Sequence, residues 1–338
     1  MPADPLSQLM DRTAATLRRL LPPAQTVAVM DFPAHTNFGD SLIYLGQQEY
    51  LRRLGFRVDF IGDVHRYSAD LLRRRHPSGP IFLQGGGSLG NRYRETQDYR
   101  EQIIIDFPDR TIVQLPQSMD FIGGEATKRA RRVFGGHPNL LLLLRDQVSL
   151  EKARQAFSDT RAEYCPDLAF GNGWLPTSAP VRRDVTMLLR GDTERAQPYD
   201  FHLDDLTSVS MDWHYERIGR IAWSALGVPR AAVRYLPPVR PYGQKLVEWT
   251  FEIMARMNVR QGRALLRPGG IVLTDRLHAA VLGVLMGKPV VVLDNCYGKI
   301  APIYADYLQT LPHIYFARDA AEARRLVLQV HAEPRTMS

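Results

Sequence analysis

Arg276, His278 and Lys299 are the residues of this 338-residue chain whose types and spacing point most directly to chemistry. Arginine grips carboxylate or phosphate through its planar fork, and histidine exchanges a proton near neutrality. Lysine adds a compact positive charge. A lone Arg-x-His is weak, because a single histidine is more often a satisfied structural residue. Three cationic or proton-carrying groups gathered at neighbouring strand ends imply a small, multiply charged anion and acid–base work.

The elements that must position them lie in VLTDRLHAAVLGVLMGKPVVVLDNCYGKI, Val272–Ile300. An apolar run, Ile271–Leu273, reaches a tight turn, then a helix-length apolar stretch, then a second run, Pro289–Leu293. That is the pattern of strand, turn, buried helix and parallel strand. The turn after the first strand falls at the carboxyl edge of the sheet, where open α/β sheets bind ligands. Thr274 or Asp275 is expected to cap the helix, leaving Arg276 and His278 in its first turn beside free N–H groups and the positive dipole end. A turn at Asp294–Lys299 aims Lys299 into the same crevice.

Upstream, residues 5–21 carry leucines at helical spacing with arginines between them. Packing on its own domain is the expectation for this helix, and a membrane surface the alternative. Thr26–Phe32 reads as a strand running into PAHTNFGD and a helix from about Ser41 to Leu54, with Asp40 as its cap and Gly39 letting backbone approach a ligand. After strands at Phe56–Ile61 and Ile81–Gln84 come Gly85, Gly86 and Gly87, either a ligand loop of bare N–H groups or a plain tight turn. Strands at Thr111–Leu115 and Leu140–Leu144 end in Gln117 and Arg145. Arg145 thus holds the edge position that His35, Gly85 and Gln117 hold on their strands, for a ligand or for a structural salt bridge. GNGWLPTSAPVRR, Gly171–Arg183, is rich in breakers and reads as a linker. A second strand–helix alternation follows: strands at Val185–Leu189, Ser208–Met211 and His313–Phe316, helices near Glu216–Leu226, Gln244–Arg267 and Ala320–Val330.

Length and alternation favour two Rossmann-like, doubly wound α/β domains facing a cleft, 1–172 and 173–338. A hydrophobic content of 45% suffices for two such cores, and with an average 23% charged residues a disordered chain is not expected. No signal peptide and no run of about 20 apolar residues is present, so a cytoplasmic protein is expected. Two cysteines, Cys165 and Cys296, cannot build a disulfide framework, and no HExxH-like pairing calls for a metal. The net charge of +7 would suit nucleic acid, anionic lipid or a phosphorylated substrate. No nucleic-acid motif accompanies it, so nucleic acid is not expected.

Several motifs in order carry a resemblance: NFGDSLI at Asn37–Ile43, LQGGGSLG at Leu83–Gly90, LPQS at Leu115–Ser118, LRDQVS at Leu144–Ser149, PDLAF at Pro166–Phe170, LRGDTE at Leu189–Glu194, TDRLHA at Thr274–Ala279 and GKPVVVLDNCYGK at Gly287–Lys299. Over roughly Thr26–Val330 the chain resembles the polysaccharide pyruvyl transferase family. That resemblance implies a GT-B-like fold and transfer of the enolpyruvyl skeleton of phosphoenolpyruvate to a sugar as a pyruvate ketal. It implies no cofactor beyond that co-substrate. It places Arg145, Arg276, Leu277, His278 and Lys299 around the donor.

Phosphoenolpyruvate fits the residues read above, since Arg145, Arg276 and Lys299 would neutralise its phosphate and carboxylate. His278 is the expected general acid and Asp40 the expected base, with Asp275 a cap or orienter. Asn37, Gly39, Gly85, Gly86, Gly87 and Gln117 are candidates for acceptor or loop contacts. Residues 1–172 are expected on the acceptor side and 173–338 on the donor side. The acceptor is expected to be a hexose of a lipid-linked repeat unit at the inner membrane face, with peripheral membrane contact. Two rivals remain: a nucleotide-sugar transferase of the same architecture, against which the helix AAVLGVLMGK lacks a ribose-binding carboxylate, and a non-enzymatic protein binding acidic polysaccharide or membrane.

Overall fold

The computed structural model describes residues 4–178, 180–191, 201, 203, 206–211, 213, 217–235, 240–296 and 298–333. The first part of the chain runs α1 (Pro5–Leu20), β1 (Thr26–Met30), α2 (Phe38–Arg53), β2 (Arg57–Ile61), α3 (Ala69–Arg75), β3 (Ile81–Leu83), β4 (Gly86–Gly90), α4 (Arg94–Asp106), β5 (Ile112–Asp120), α5 (Gly124–Gly135), β6 (Leu140–Leu144), α6 (Gln147–Ala156) and β7 (Arg161–Tyr164). Then follow β8 (Arg183–Leu188), β9 (Ser208–Met211), α7 (Arg217–Leu226), α8 (Val228–Tyr235), α9 (Arg240–Leu266), β10 (Gly269–Thr274), α10 (Leu277–Leu285), β11 (Val290–Leu293), α11 (Ile300–Asp306), β12 (Ile314–Ala317) and α12 (Ala320–Ala332). Tyr199, Asp200, His202, Asp204, Asp205 and Asp212 lie outside the described residues, as do Asp192, Thr193, Glu194 and Tyr297.

Among the described residues two sheets form, and every pairing in them is parallel. One is ordered β2-β1-β3-β5-β6-β7 with β4 on β5; the other is β12-β11-β10-β8-β9. Parallel strands covered on both faces must be apolar throughout, and β6 (LLLLL), β10 and β11 are buried at every position. The chain is therefore α/β with parallel sheets and helices, and in each sheet all strand carboxyl ends lie along one edge. The strand β7 and helices α8 and α11, none of them expected, are short pieces without a clear period.

The run of glycines is neither a loop nor a plain turn. Gly86–Gly90 form β4, which continues alongside β5 where β3 stops, pairing Gly86 with Gln117 and Gly90 with Asp120. Pro116 has no N–H for the ladder, and the β5–β6 register shifts between Gln114 and Gln117. Two buried side chains bond at the gap: Gln114 Nε2 donates to Gln84 O at 2.8 Å, and Gln117 Nε2 to the same oxygen at 2.9 Å. Gly85 allows the close approach, since a Cβ there would lie 2.8 Å from Pro116 O. Gln117 sits inside β5, not at a strand end, and splints this break.

Helix α1 begins at Asp4, whose carboxylate accepts Ser7 N–H, and Pro5 occupies the first turn. Leu6, Leu9, Leu17 and Leu20 are buried in the core, each contributing about 1.5–3 kcal/mol. The apolar stripe that would suit a membrane surface is spent inside the protein. Among the described residues no helix is long and apolar enough to cross a membrane.

Helix α9 joins the two sheets' surroundings. Its Phe251 stacks on Phe32 with ring centroids 4.0 Å apart, and Asn258 Nδ2 donates to Ser41 Oγ at 2.7 Å and His35 O at 3.0 Å. Helix α2 is pinned on its other side, where Gly46 lacks a side chain that would lie 2.0 Å from Leu168 O. These contacts fix the amino end of α2 and the turn around Asp167, both of which border the site below.

Candidate active site

A cavity of about 470 Å³ opens where residues following strands of both sheets meet, within the range typical of small-molecule sites. From the first sheet come Asp31 after β1, Gln84, Gly85, Gly87 and Ser88 from the end of β3 through β4, and Arg145 after β6. From the second come Arg190 after β8, Trp213 after β9, Arg276–His278 after β10, and Asn295 and Lys299 after β11. Asn37, Gly85 and Gly87 line the cavity, as does Asp40. Gly39, Gly86 and Gln117 do not.

Under the cationic residues lies Asp167, three residues past β7 and 2% exposed. Its Oδ2 accepts Arg145 Nη1 at 2.7 Å and meets His278 Nε2 at 3.2 Å, while Oδ1 accepts Ala169 N–H at 2.8 Å. Burial alone would push this carboxyl up, but the imidazole, the guanidinium and the backbone N–H outweigh it and hold it well below the carboxylate range. Arg145 is further fixed through Nε to Ser118 Oγ at 2.9 Å, and Ser118 donates to Asp146 at 2.7 Å. Gly87 makes room for this guanidinium: a Cβ there would sit 2.9 Å from Nη2.

His278 lies in the first turn of α10 against the first turn of α2. A Cβ on Gly39 would fall 2.8 Å from His278 Cβ and 2.9 Å from Nδ1. Only glycine lets the two helices meet this way, with Nδ1 facing Gly39. Arg276 occupies the N-cap position of α10, and its guanidinium carbon lies 5.6 Å from the Trp213 ring centre. Leu277 follows as the first helical residue. Lys299 comes from the turn before α11, its Nζ 3.5 Å from Gly87 O and 3.9 Å from Asp120 Oδ2.

Two expected caps are corrected. Helix α2 starts at Phe38, capped by Asn37 Oδ1 accepting Gly39 N–H at 2.9 Å; Asp40 is in the first turn and accepts Asn37 Nδ2 at 2.8 Å. For α10, neither Thr274 nor Asp275 caps. Thr274 Oγ1 accepts Arg276 N–H and donates to Leu188 O, and Asp275 Oδ1 accepts Arg190 N–H at 2.8 Å. Thr274 and Asp275 thus tie β10 to the end of β8 and steady the turn carrying Arg276.

Arg145, Arg276, Leu277, His278 and Lys299 therefore surround one cavity, with Asp40 and Asn37 on its wall. The reading of the residues passed over Asp167, Ser118 and the Asp31–Arg100 pair. Asp167 sat in view within PDLAF, without a role. Among the described residues no cluster of His, Cys, Asp and Glu is arranged to hold a metal. What the arrangement can do is fix a dianionic or trianionic small molecule against an imidazole whose Nε2 is tied to a buried carboxylate.

A family model described as polysaccharide pyruvyl transferase matches residues 37–297. Pyruvyl transferase 1 of Schizosaccharomyces pombe is 29% identical over 296 residues, covering 83% of this chain and 69% of its own length. EpsO of Bacillus subtilis, which also carries pyruvyl transferase in its name, is 27% identical over 316 residues, covering 91% of this chain and 93% of its own. A crystal structure of a functionally uncharacterized protein from Klebsiella pneumoniae has a TM-score of 0.57 at 18% identity, covering 94% of this chain and 100% of that one. That last likeness is one of fold.

Proposed function

The chain belongs to the polysaccharide pyruvyl transferase family, and from that premise we propose that it transfers the enolpyruvyl group of phosphoenolpyruvate to a hexose of a polysaccharide repeat unit, forming a cyclic pyruvate ketal. The observation that carries the reading is the convergence of Arg145, Arg276, Lys299 and His278 on one cavity. The three cations match the phosphate and carboxylate of the donor through charge-assisted bonds. His278 protonates C3, and C2 becomes an oxocarbenium-like centre that the first hydroxyl attacks. Phosphate then leaves, stabilised by the same cations, and the second hydroxyl closes the ketal. Of the two hydroxyl protons, one balances the proton gained by C3 and the other leaves with phosphate.

Asp167 accepts the Nε2 proton of His278, which leaves Nδ1 as the nitrogen that delivers the acid proton beside Gly39. Asp40 is the base for the attacking hydroxyl; His35 Nε2, 3.6 Å from Asp40 Oδ2, is placed to take the charge onward. Residues 1–172 and 173–338 act as two GT-B-like units across the cavity, the first presenting the acceptor and the second, with Arg145, gripping the donor. The acceptor is a lipid-linked repeat unit at the inner face of the membrane, toward which the net charge of +7 would draw the protein.

Calorimetry against phosphoenolpyruvate and a panel of nucleotide sugars, followed by phosphate release with hexose acceptors, tests this. Binding of phosphoenolpyruvate, acceptor-dependent phosphate release, and loss of that release in folded His278→Ala are expected. Binding of a nucleotide sugar with none of phosphoenolpyruvate, or full release by His278→Ala, would remove the reading.

A further inference from the structure

The cavity wall carries a second buried ion pair that the steps above leave idle. Asp31 follows β1 with φ of 69°, a left-handed conformation shared among described non-glycine residues only by His313. Such a conformation persists where the surroundings impose it and is common at functional sites. Arg100 reaches it from α4 and is 2% exposed. Its Nε and Nη2 both donate to Asp31 Oδ2, at 2.9 and 2.6 Å, and Nη2 also donates to Ser88 Oγ at 2.9 Å. Its Nη1 has no hydrogen-bond partner. Asp31, Ser88, Tyr93, Thr96 and Arg100 all line the cavity.

A purely structural arginine in the same protein looks different. Arg110 uses Nε, Nη1 and Nη2 on three carbonyls, of Gly79, Pro77 and His76, at 2.9, 2.7 and 2.9 Å. An unanswered buried N–H is costly, and native proteins keep few of them. Asp31 is likewise held through one oxygen only, and burial pushes its carboxyl up further than Arg100 pulls it back. The pair thus leaves Asp31 Oδ1 without a hydrogen bond next to the Arg100 guanidinium, whose Nε and Nη2 edge faces Asp31 and whose Nη1 is buried, and the two groups carry opposite charges. An anion would meet the carboxylate and a cation the guanidinium. A neutral hydroxyl donates to the free Asp31 oxygen and brings no charge against either group.

We infer that Asp31 and Arg100, with Ser88 beside them, form the subsite that holds hydroxyls of a neutral hexose, and so select uncharged over acidic acceptor sugars. Calling that hexose the acceptor rests on the pyruvyl transfer reading; the subsite itself does not. Asp31→Asn should therefore raise KM for a 4-nitrophenyl hexoside acceptor at least tenfold, with phosphoenolpyruvate affinity by calorimetry within twofold of the parent. The parent should take the galactoside, glucoside or mannoside in preference to the matching uronide. Unchanged acceptor KM in Asp31→Asn, or preference for the uronide, would overturn the inference. Should the parent fail to bind phosphoenolpyruvate, the transfer reading falls instead, and saturation-transfer NMR with the same hexosides on parent and Asp31→Asn still decides the subsite. Should Asp31→Asn fail to fold, Ser88→Ala, which removes one tether of Arg100, takes its place. It is expected to weaken hexoside binding severalfold, and unchanged binding would likewise overturn the subsite.

Discussion

Two buried aspartate–arginine pairs border the same cavity, and they differ in how fully each carboxylate is answered. Asp167 receives Arg145, His278 and a backbone N–H on its two oxygens, and its carboxyl is held down although it is almost fully buried. Asp31 receives Arg100 on one oxygen, and burial leaves its carboxyl raised. Burial penalises both alike; the number of donors and the positive charge around each decide the sign. A saturated carboxylate is a brace, here under the groups proposed to hold the donor. An under-saturated one is a place for something else to bind.

The sharpest way to break this contrast is to neutralise each carboxylate without changing its shape. Asp167→Asn turns one acceptor into a donor facing Arg145 and the imidazole, leaving a buried guanidinium unbalanced. It should cost about 3–5 kcal/mol of stability, the range for removing one partner of a buried ion pair. Asp31→Asn keeps an oxygen for Arg100 and removes a charge that burial already disfavours. It still leaves the buried Arg100 without its carboxylate, and should cost about 1–3 kcal/mol, the range for a buried group left unsatisfied. Urea unfolding of the two variants measures both, and equal losses would show that the pairs are equivalent.

The pH dependence of stability sharpens the contrast through opposite signs. A depressed carboxyl such as Asp167 contributes fully above its unfolded value of about 3.9 and loses that contribution as pH falls. A raised carboxyl such as Asp31 contributes fully below that value and loses its contribution as pH rises through its folded one. Asp167→Asn should therefore lose less stability than the parent on acidification below about pH 4. Asp31→Asn should lose less than the parent as pH climbs from about 4 toward neutrality. Urea midpoints measured on both sides of about pH 4 check the two slopes, and a shift of the same sign in the two variants would contradict the assignment.

That Arg276, His278 and Lys299 would meet was legible in the sequence, because parallel strands deliver their carboxyl ends to one edge and the apolar runs mark those strands; Arg145, which follows a strand of the other sheet, was joined to them only by the family resemblance. The partners beneath them were not legible. Asp167 lies 22 residues from Arg145 and 111 from His278, and Arg100 lies 69 from Asp31. Such pairings depend on side-chain directions across elements, which no local period records. The glycine run misled for a related reason. Whether Gly86–Gly90 is loop or strand is decided by β5 continuing past Pro116 beside it, not by the glycines. Asn37 and Asp40 are both good cap residues three positions apart, and only the entry angle into α2 chooses between them.

The smallest expected effect comes from a residue that touches both walls. Trp213 donates through Nε1 to Asn37 Oδ1 at 3.2 Å, sits 4.8 Å from the Phe38 ring, and lies under Arg276 at 5.6 Å. Its contact with Arg276 is of the cation–π kind, about 0.5–1 kcal/mol at a partly exposed site. Trp213→Ala should therefore raise the phosphoenolpyruvate dissociation constant about two- to fivefold, the same energy expressed as a ratio. Hexoside KM should stay near the parent value, because neither Asp31 nor Arg100 loses a partner. If hexoside KM rises more than the donor constant instead, Trp213 belongs with the Asp31 wall, and the division between the two pairs has to be redrawn around it.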